Sequence, residues 1–151
     1  MEEHDLKKIQ LKLYNYCSKR EKCEFDVRKY LLKEDLLEKE ISDLIVNLEE
    51  NNFINSERYI NAFIKDKLKF NKWGKIKIHF ELKARNFDEK IIYKYLNEID
   101  EQEYEIILKS IIENKIKQLN NKENYKQTLI NFALNRGFEY QKIQKMIEEN
   151  D

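Results

Sequence analysis

Residues 87–100 read FDEKIIYKYLNEID, and the same arrangement returns at 138–150 as FEYQKIQKMIEEN. An earlier version lies at 36–52, LLEKEISDLIVNLEENN. Each opens on an apolar residue, passes through an acidic turn and continues with apolar positions three and four apart, the spacing that lines one face of a helix. Phe87 and Phe138 are 51 residues apart, so the chain repeats itself at a period that fits a supersecondary unit. The segments before them keep register too. Val27 and Leu31, Ile78 and Leu82, and Leu129 and Ala133 are matching i, i+4 apolar pairs. A longer helical pattern precedes each pair. The expected organisation is nine helices in three modules, with repeats over residues 1–52, 53–100 and 101–151. The helices fall at about 4–17, 24–33 and 38–51; 56–70, 73–85 and 88–98; and 102–119, 122–135 and 139–149.

Composition supports an all-α fold of tandem three-helix repeats. The 151 residues include no Pro and two Gly, and strong helix formers dominate. No run of about 18 uncharged apolar residues is present, and the opening MEEHDLKKIQ lacks the basic-then-apolar profile of a secretory signal, so a cytoplasmic protein away from membranes is expected. Cys17 and Cys23 form no CxxC and have no nearby second ligand pair, while His4 and His79 lie apart from them. Both cysteines read as ordinary thiols, and no metal or cofactor is expected. Gly-rich phosphate loops, HExxH and GxSxG are all missing, and pairs such as Glu49/Glu50 and Glu148/Glu149 sit in polar helix ends. These features point away from an enzyme.

The formal net charge of zero conceals segregation: residues 1–57 hold 10 Lys/Arg against 14 Asp/Glu, residues 58–85 hold 9 against 2, and residues 86–151 hold 10 against 13. A basic centre between acidic flanks suits contact with nucleic acid or an acidic protein surface. Asn52-Phe53, Asn86-Phe87 and Gly137-Phe138 have the chemistry of helix stops, a left-handed residue followed by an apolar one that folds back. Ser56 and Asp88 are candidate N-caps. In the central module Tyr59, Ala62, Phe63 and Phe70 fall to one side of a helix and Ile60, Ile64 and Leu68 form a second apolar stripe. The next helix sets Ile78 and Leu82 on one side, Ile76 and Phe80 on another. Two apolar faces imply packing between neighbouring helices. Between them, Lys72, Lys75, His79 and Lys83 form one basic line, and Arg58, Lys65 and Lys69 a second. Trp73, just before Gly74, is placed to pack in the core or to stack on a base or partner side chain.

From Tyr16 to Leu96 the sequence resembles the RecX family of recombinase regulators. Arg20-Glu21 followed by Val27 and Leu31 is similar to that family's opening Arg-Arg-Glu segment and the helix after it. Phe53-Ile54, Glu57-Arg58-Tyr59 and Ala62-Phe63 resemble its turn into Asp-Glu-Arg-Phe-Ala. Gly74, Ile78, Glu81-Leu82 and Arg85-Asn86-Phe87-Asp88 resemble the next block. Asn52 and Asn86 stand where glycine is usual, Ser56 replaces an acidic residue, Ile60 replaces a small one, and a second glycine before Gly74 is missing. The third module, from about Glu101, matches more weakly.

The resemblance implies an elongated, curved array that binds the RecA recombinase in the groove of its filament on single-stranded DNA and modulates, usually inhibits, its ATP hydrolysis and strand exchange. Arg58, Lys65, Lys69, Lys72, Trp73, Lys75, Lys77, His79, Lys83 and Arg85 are then the candidate contacts to DNA or acidic filament surface. Weak binding to single-stranded or duplex DNA and a monomeric state are expected. Two other classes remain open on the residues alone. A helix-turn-helix module would bind duplex sequence-specifically, although the central helix offers Lys rather than the Arg, Asn and Gln that read base edges. An α-helical scaffold would bind protein irrespective of DNA.

Overall fold

The computed structural model describes residues 1–119 and 125–149. Among them are nine α-helices and no strand: α1 (Glu3–Lys19), α2 (Glu24–Tyr30), α3 (Glu38–Glu50), α4 (Ser56–Asp66), α5 (Lys75–Ala84), α6 (Glu89–Leu96), α7 (Glu101–Leu119), α8 (Tyr125–Asn135) and α9 (Tyr140–Glu149). The fold is all-α and built from three-helix repeats. Residues 120–124, where the helix expected from 122 would begin, lie outside the described residues. The chain divides into two compact units, Met1–Ala62 and Phe63–Asp151, with the division inside α4.

The repeat is visible in what is buried. Val27, Leu31, Ile78, Leu82, Leu129 and Ala133, the three i, i+4 pairs, are each at most 1% exposed. The three stop signals also share one geometry. Asn52, Asn86 and Gly137 have φ of 59°, 67° and 93°. The backbone N–H of the following phenylalanine donates back across the turn, Phe53 to Leu48 O (2.8 Å), Phe87 to Leu82 O (3.4 Å) and Phe138 to Ala133 O (3.2 Å). This six-to-one bond satisfies a carbonyl that the ending helix leaves open. Asn tolerates the left-handed well better than other residues with a Cβ because its short polar side chain can hydrogen-bond locally to the backbone, so it can replace glycine at two of the three turns.

Asp88 caps α6, its carboxylate accepting from the Lys90 N–H at 2.7 Å. Ser56 does not cap α4, contrary to expectation. It is the first helical residue, and Asn55 takes the cap, its Oδ1 accepting from the Arg58 N–H at 2.9 Å. A cap side chain reaches the N–H two or three positions on from a residue that is not itself helical, which Asn55 meets and Ser56 does not.

Within the first unit, Ile9, Leu13, Cys17, Val27, Leu31, Leu44, Ile45, Leu48 and Ile54 form the core, with Tyr14, Tyr16, Tyr30 and Phe53 packed against it. Tyr14 stacks on Phe53 with centroids 4.1 Å apart and donates to Asn47 Oδ1 at 2.7 Å. Both cysteines are free and buried. Burial is the main cause pushing the Cys17 thiol up and the Cys23 thiol up to about 11, which keeps both protonated and unreactive near neutrality.

Candidate functional site

The basic segment enters the second unit at Phe63. α4 gives way after Asp66 to a widened π turn over Lys67–Asn71, and Lys72 then adopts φ 54°, a left-handed lysine. Lys72, two positions ahead of Gly74, thus holds a backbone conformation that glycine adopts without steric cost. The turn interrupts both basic lines. Lys69 lies in the π turn rather than on α4, and Lys72 is three residues outside α5, so the run from Lys72 through Lys75, His79 and Lys83 is continuous only from Lys75 onward.

The start of α5 is enclosed by α7 and the turn between α8 and α9, and the only two glycines of the sequence make the junction. The Gly74 N–H donates to Arg136 O at 2.7 Å, the Ile76 N–H to Gly137 O at 3.0 Å, and the Lys75 N–H to the Tyr104 hydroxyl at 2.9 Å. The Tyr104 hydroxyl in turn donates to the Glu139 carboxylate. A Cβ on Gly74 would lie 2.3 Å from the Gly137 carbonyl oxygen, and one on Gly137 would lie 2.3 Å from the Lys77 Cβ. Neither position has room for a side chain. The helix donors that could otherwise cradle an anion are therefore spent on protein acceptors. Tyr104 is fully enclosed against Phe138, with centroids 5.2 Å apart. Burial, followed by its hydrogen bond to Glu139, drives its phenol far above the ordinary range.

The candidate cations divide by what already holds them. Lys75 lies 3.7 Å from Glu101 and over the Tyr104 ring. Glu101 is also bonded to Lys142, whose ammonium is the chief cause holding that carboxyl below its usual range. Lys72 donates to Ser110 at 3.3 Å. Arg85 pairs with Glu81 at 3.2 Å and covers the Phe63 ring. His79 stacks on Tyr93 and approaches Glu89 to 3.7 Å. Trp73 is half-buried, edge-on to Phe63, with Lys67 and Lys77 ammonium groups 5.0 and 4.6 Å from its centroid. Its faces are thus engaged within the unit. Lys65, Lys69 and Lys83 are exposed and make no ion pair among the described residues. Arg58, in the first unit, is bound to Glu21 at 2.7 Å and donates to Asn52 O at 2.9 Å.

Two of the expected apolar stripes have different fates. Ile78 and Leu82 are completely buried, whereas Ile76, Phe80 and Phe70 are 56%, 68% and 72% exposed. The expected packing between neighbours on the Ile76/Phe80 side is absent among the described residues. Lys67 and the Tyr104–Glu139 pair were not apparent in the sequence. The lysine is hidden among similar residues, and the pair joins positions 35 apart. The glycines were the available signal, since in a chain with only two, each is expected to mark a backbone constraint.

A model of the RecX second three-helix domain matches residues 55–96. Regulatory protein RecX of Streptococcus agalactiae serotype V is 32% identical over 137 residues, 88% of this chain and 52% of that protein. Regulatory protein RecX of Clostridium perfringens strain SM101 is 31% identical over 123 residues, 79% of this chain and 57% of that protein. The chain thus spans a little over half the length of these curated relatives. The crystal structure of RecX from Lactobacillus salivarius shares the fold, with a TM-score of 0.82 at 20% identity over 97% of this chain and 96% of that one.

Proposed function

The chain belongs to the RecX family, and from that premise we propose that it is a non-enzymatic regulator that binds the RecA recombinase on DNA and lowers its ATP hydrolysis and strand exchange. The observation that carries this reading is the coincidence of the matched second domain, residues 55–96, with the segment richest in cations. Such a segment favours approach to a DNA-bearing filament through long-range, salt-dependent attraction. Lys65, Lys69 and Lys83 supply the available charge, and Lys72, Trp73, Lys75, Lys77, His79 and Arg85 shape the surface around them. Arg58 belongs to the same assignment from the first unit.

Autonomous sequence-specific duplex binding fits less well. A recognition helix commonly offers its N-terminal residues to base edges. In α5 that end is occupied by Arg136, Gly137 and Tyr104. The deciding experiment titrates the protein into cognate RecA hydrolysing ATP on single-stranded DNA, at two salt concentrations. A dose-dependent fall in rate, weaker at high salt, is expected. An unchanged rate with folded protein would refute the reading.

A further inference from the structure

α5 is apolar on two opposite sides, and the fold uses one of them. Ile78 and Leu82 go fully into the core of the second unit, and the N-terminal turn is tied down by the backbone of residues 136–137. The other side carries Ile76, Phe80 and Ala84 at successive i, i+4 positions, all exposed. Phe80, at 68% exposed, is its centre. Lys77, three residues before Phe80, and Lys83, three after it, flank the aromatic ring's position on the helix surface. The Lys77 ammonium is drawn to Trp73, while Lys83 makes no ion pair among the described residues.

We propose that this face, centred on Phe80 with Ile76 beside it and Lys83 at its edge, docks into an apolar pocket with an acidic rim on a partner protein. Charge complementarity selects that occupant: the surrounding segment, residues 58–85, carries 9 cationic residues against 2 anionic ones. The apolar centre distinguishes it from a nucleic-acid track. Base stacking needs successive π faces, and this face has one aromatic between an isoleucine and an alanine. Phosphate tracking needs several available cations, and Lys75 and Lys77 of the same helix and Arg85 at its C-cap are already engaged by Glu101, Trp73 and Glu81. An apolar, aromatic centre with a polar rim is the usual anatomy of a protein contact, and a few central side chains dominate its binding energy. Identifying the pocket's owner as RecA rests on the functional reading above.

The test measures binding of the full chain to RecA filaments on single-stranded DNA, and separately to the single strand alone, for the parent, Phe80→Ser, Ile76→Ser/Phe80→Ser, Phe80→Leu and Lys83→Ala. The double variant should lose at least about 30-fold in filament affinity at every salt concentration, with its affinity for the bare strand unchanged. Phe80→Leu should retain most binding, and Lys83→Ala should lose a few-fold, at low salt only. Because both serines replace exposed residues, helicity and melting should match the parent. Equal filament binding by parent and double variant would overturn the docking face while leaving the regulatory reading intact. A parent that fails to bind the filament would overturn both. Parallel loss of strand binding would assign the face to nucleic acid, and a parent dimer dissolved by Phe80→Ser would assign it to a second copy; either result overturns the proposal.

Discussion

On the inner side of α5, Ile78 and Leu82 are completely enclosed, and the helix start is threaded between Gly137 and Tyr104. On the outer side Ile76 and Phe80, two residues out of phase with that pair, stand in solvent. The four side chains have similar transfer energies from water, so hydrophobicity alone does not separate structural residues from those left for a partner. Packing does. Changes on the inner side should register in stability with the isolated protein, and changes on the outer side only when the partner is present.

The sharpest way to break this contrast is at the glycine junction. Gly74→Ala places a methyl carbon against the Gly137 carbonyl and the Phe138 nitrogen, backbone atoms that cannot step aside as a flexible side chain would. A loss of about 3 kcal/mol or more is expected, read as a lowered denaturant midpoint. Gly137→Ala should be at least as damaging, because it combines the clash with Lys77 and a φ of 93°. Leu82→Ala on the inner side should cost about 2–5 kcal/mol by leaving a cavity. Phe80→Ser on the outer side should change stability by no more than about 0.5 kcal/mol. If the two latter substitutions proved equally destabilising in the isolated chain, the division of α5 into inner and outer sides would be wrong.

Tyr104→Phe is a finer probe of the same junction. It removes the hydroxyl that accepts from Lys75 N–H and donates to Glu139, without emptying the space beside Phe138. A loss of about 1–3 kcal/mol should follow in denaturant titrations, since a backbone donor and a carboxylate lose their shared partner.

The first unit offers a pH-dependent counterpart. Cys23 has its thiol raised from about 9 to about 11, chiefly by burial, so the folded chain resists ionisation that the unfolded chain permits. The contribution is fully present below pH 9 and is lost as the pH rises from there to about 11. Cys23→Ala should flatten stability over that window in pH-dependent denaturation. A stability difference between variant and parent that did not vary with pH there would contradict the buried, protonated thiol. The α-helical cores tolerate that thiol as a small apolar group.

Much of this architecture was legible in the sequence because it depends on local rules. The i, i+4 pairs Val27/Leu31, Ile78/Leu82 and Leu129/Ala133 announced their burial by spacing, and Asn52, Asn86 and Gly137 announced their left-handed turns by residue type. The basic surface was less legible. Wheel projection began this helix at 73 and carried its basic line back to Lys72, but a left-handed backbone at that lysine and the N-cap at Gly74 start the helix at Lys75. Nor could spacing show which lysines were already engaged. Glu101 lies 26 residues beyond Lys75, and only the folded unit brings them together. The second apolar stripe of α5 was visible as a pattern, while its exposure was a tertiary fact.

The most direct measurement is photo-cross-linking with a benzophenone amino acid in place of Phe80, in the presence of RecA filaments on single-stranded DNA. The same group in place of Leu32, which is 81% exposed in the first unit, serves as the reference. The account predicts that position 80 captures the recombinase far more efficiently than position 32, and that competition with unlabelled parent suppresses the product. Capture of the recombinase at position 32 but not at 80, or capture of the DNA strand at position 80, would contradict it.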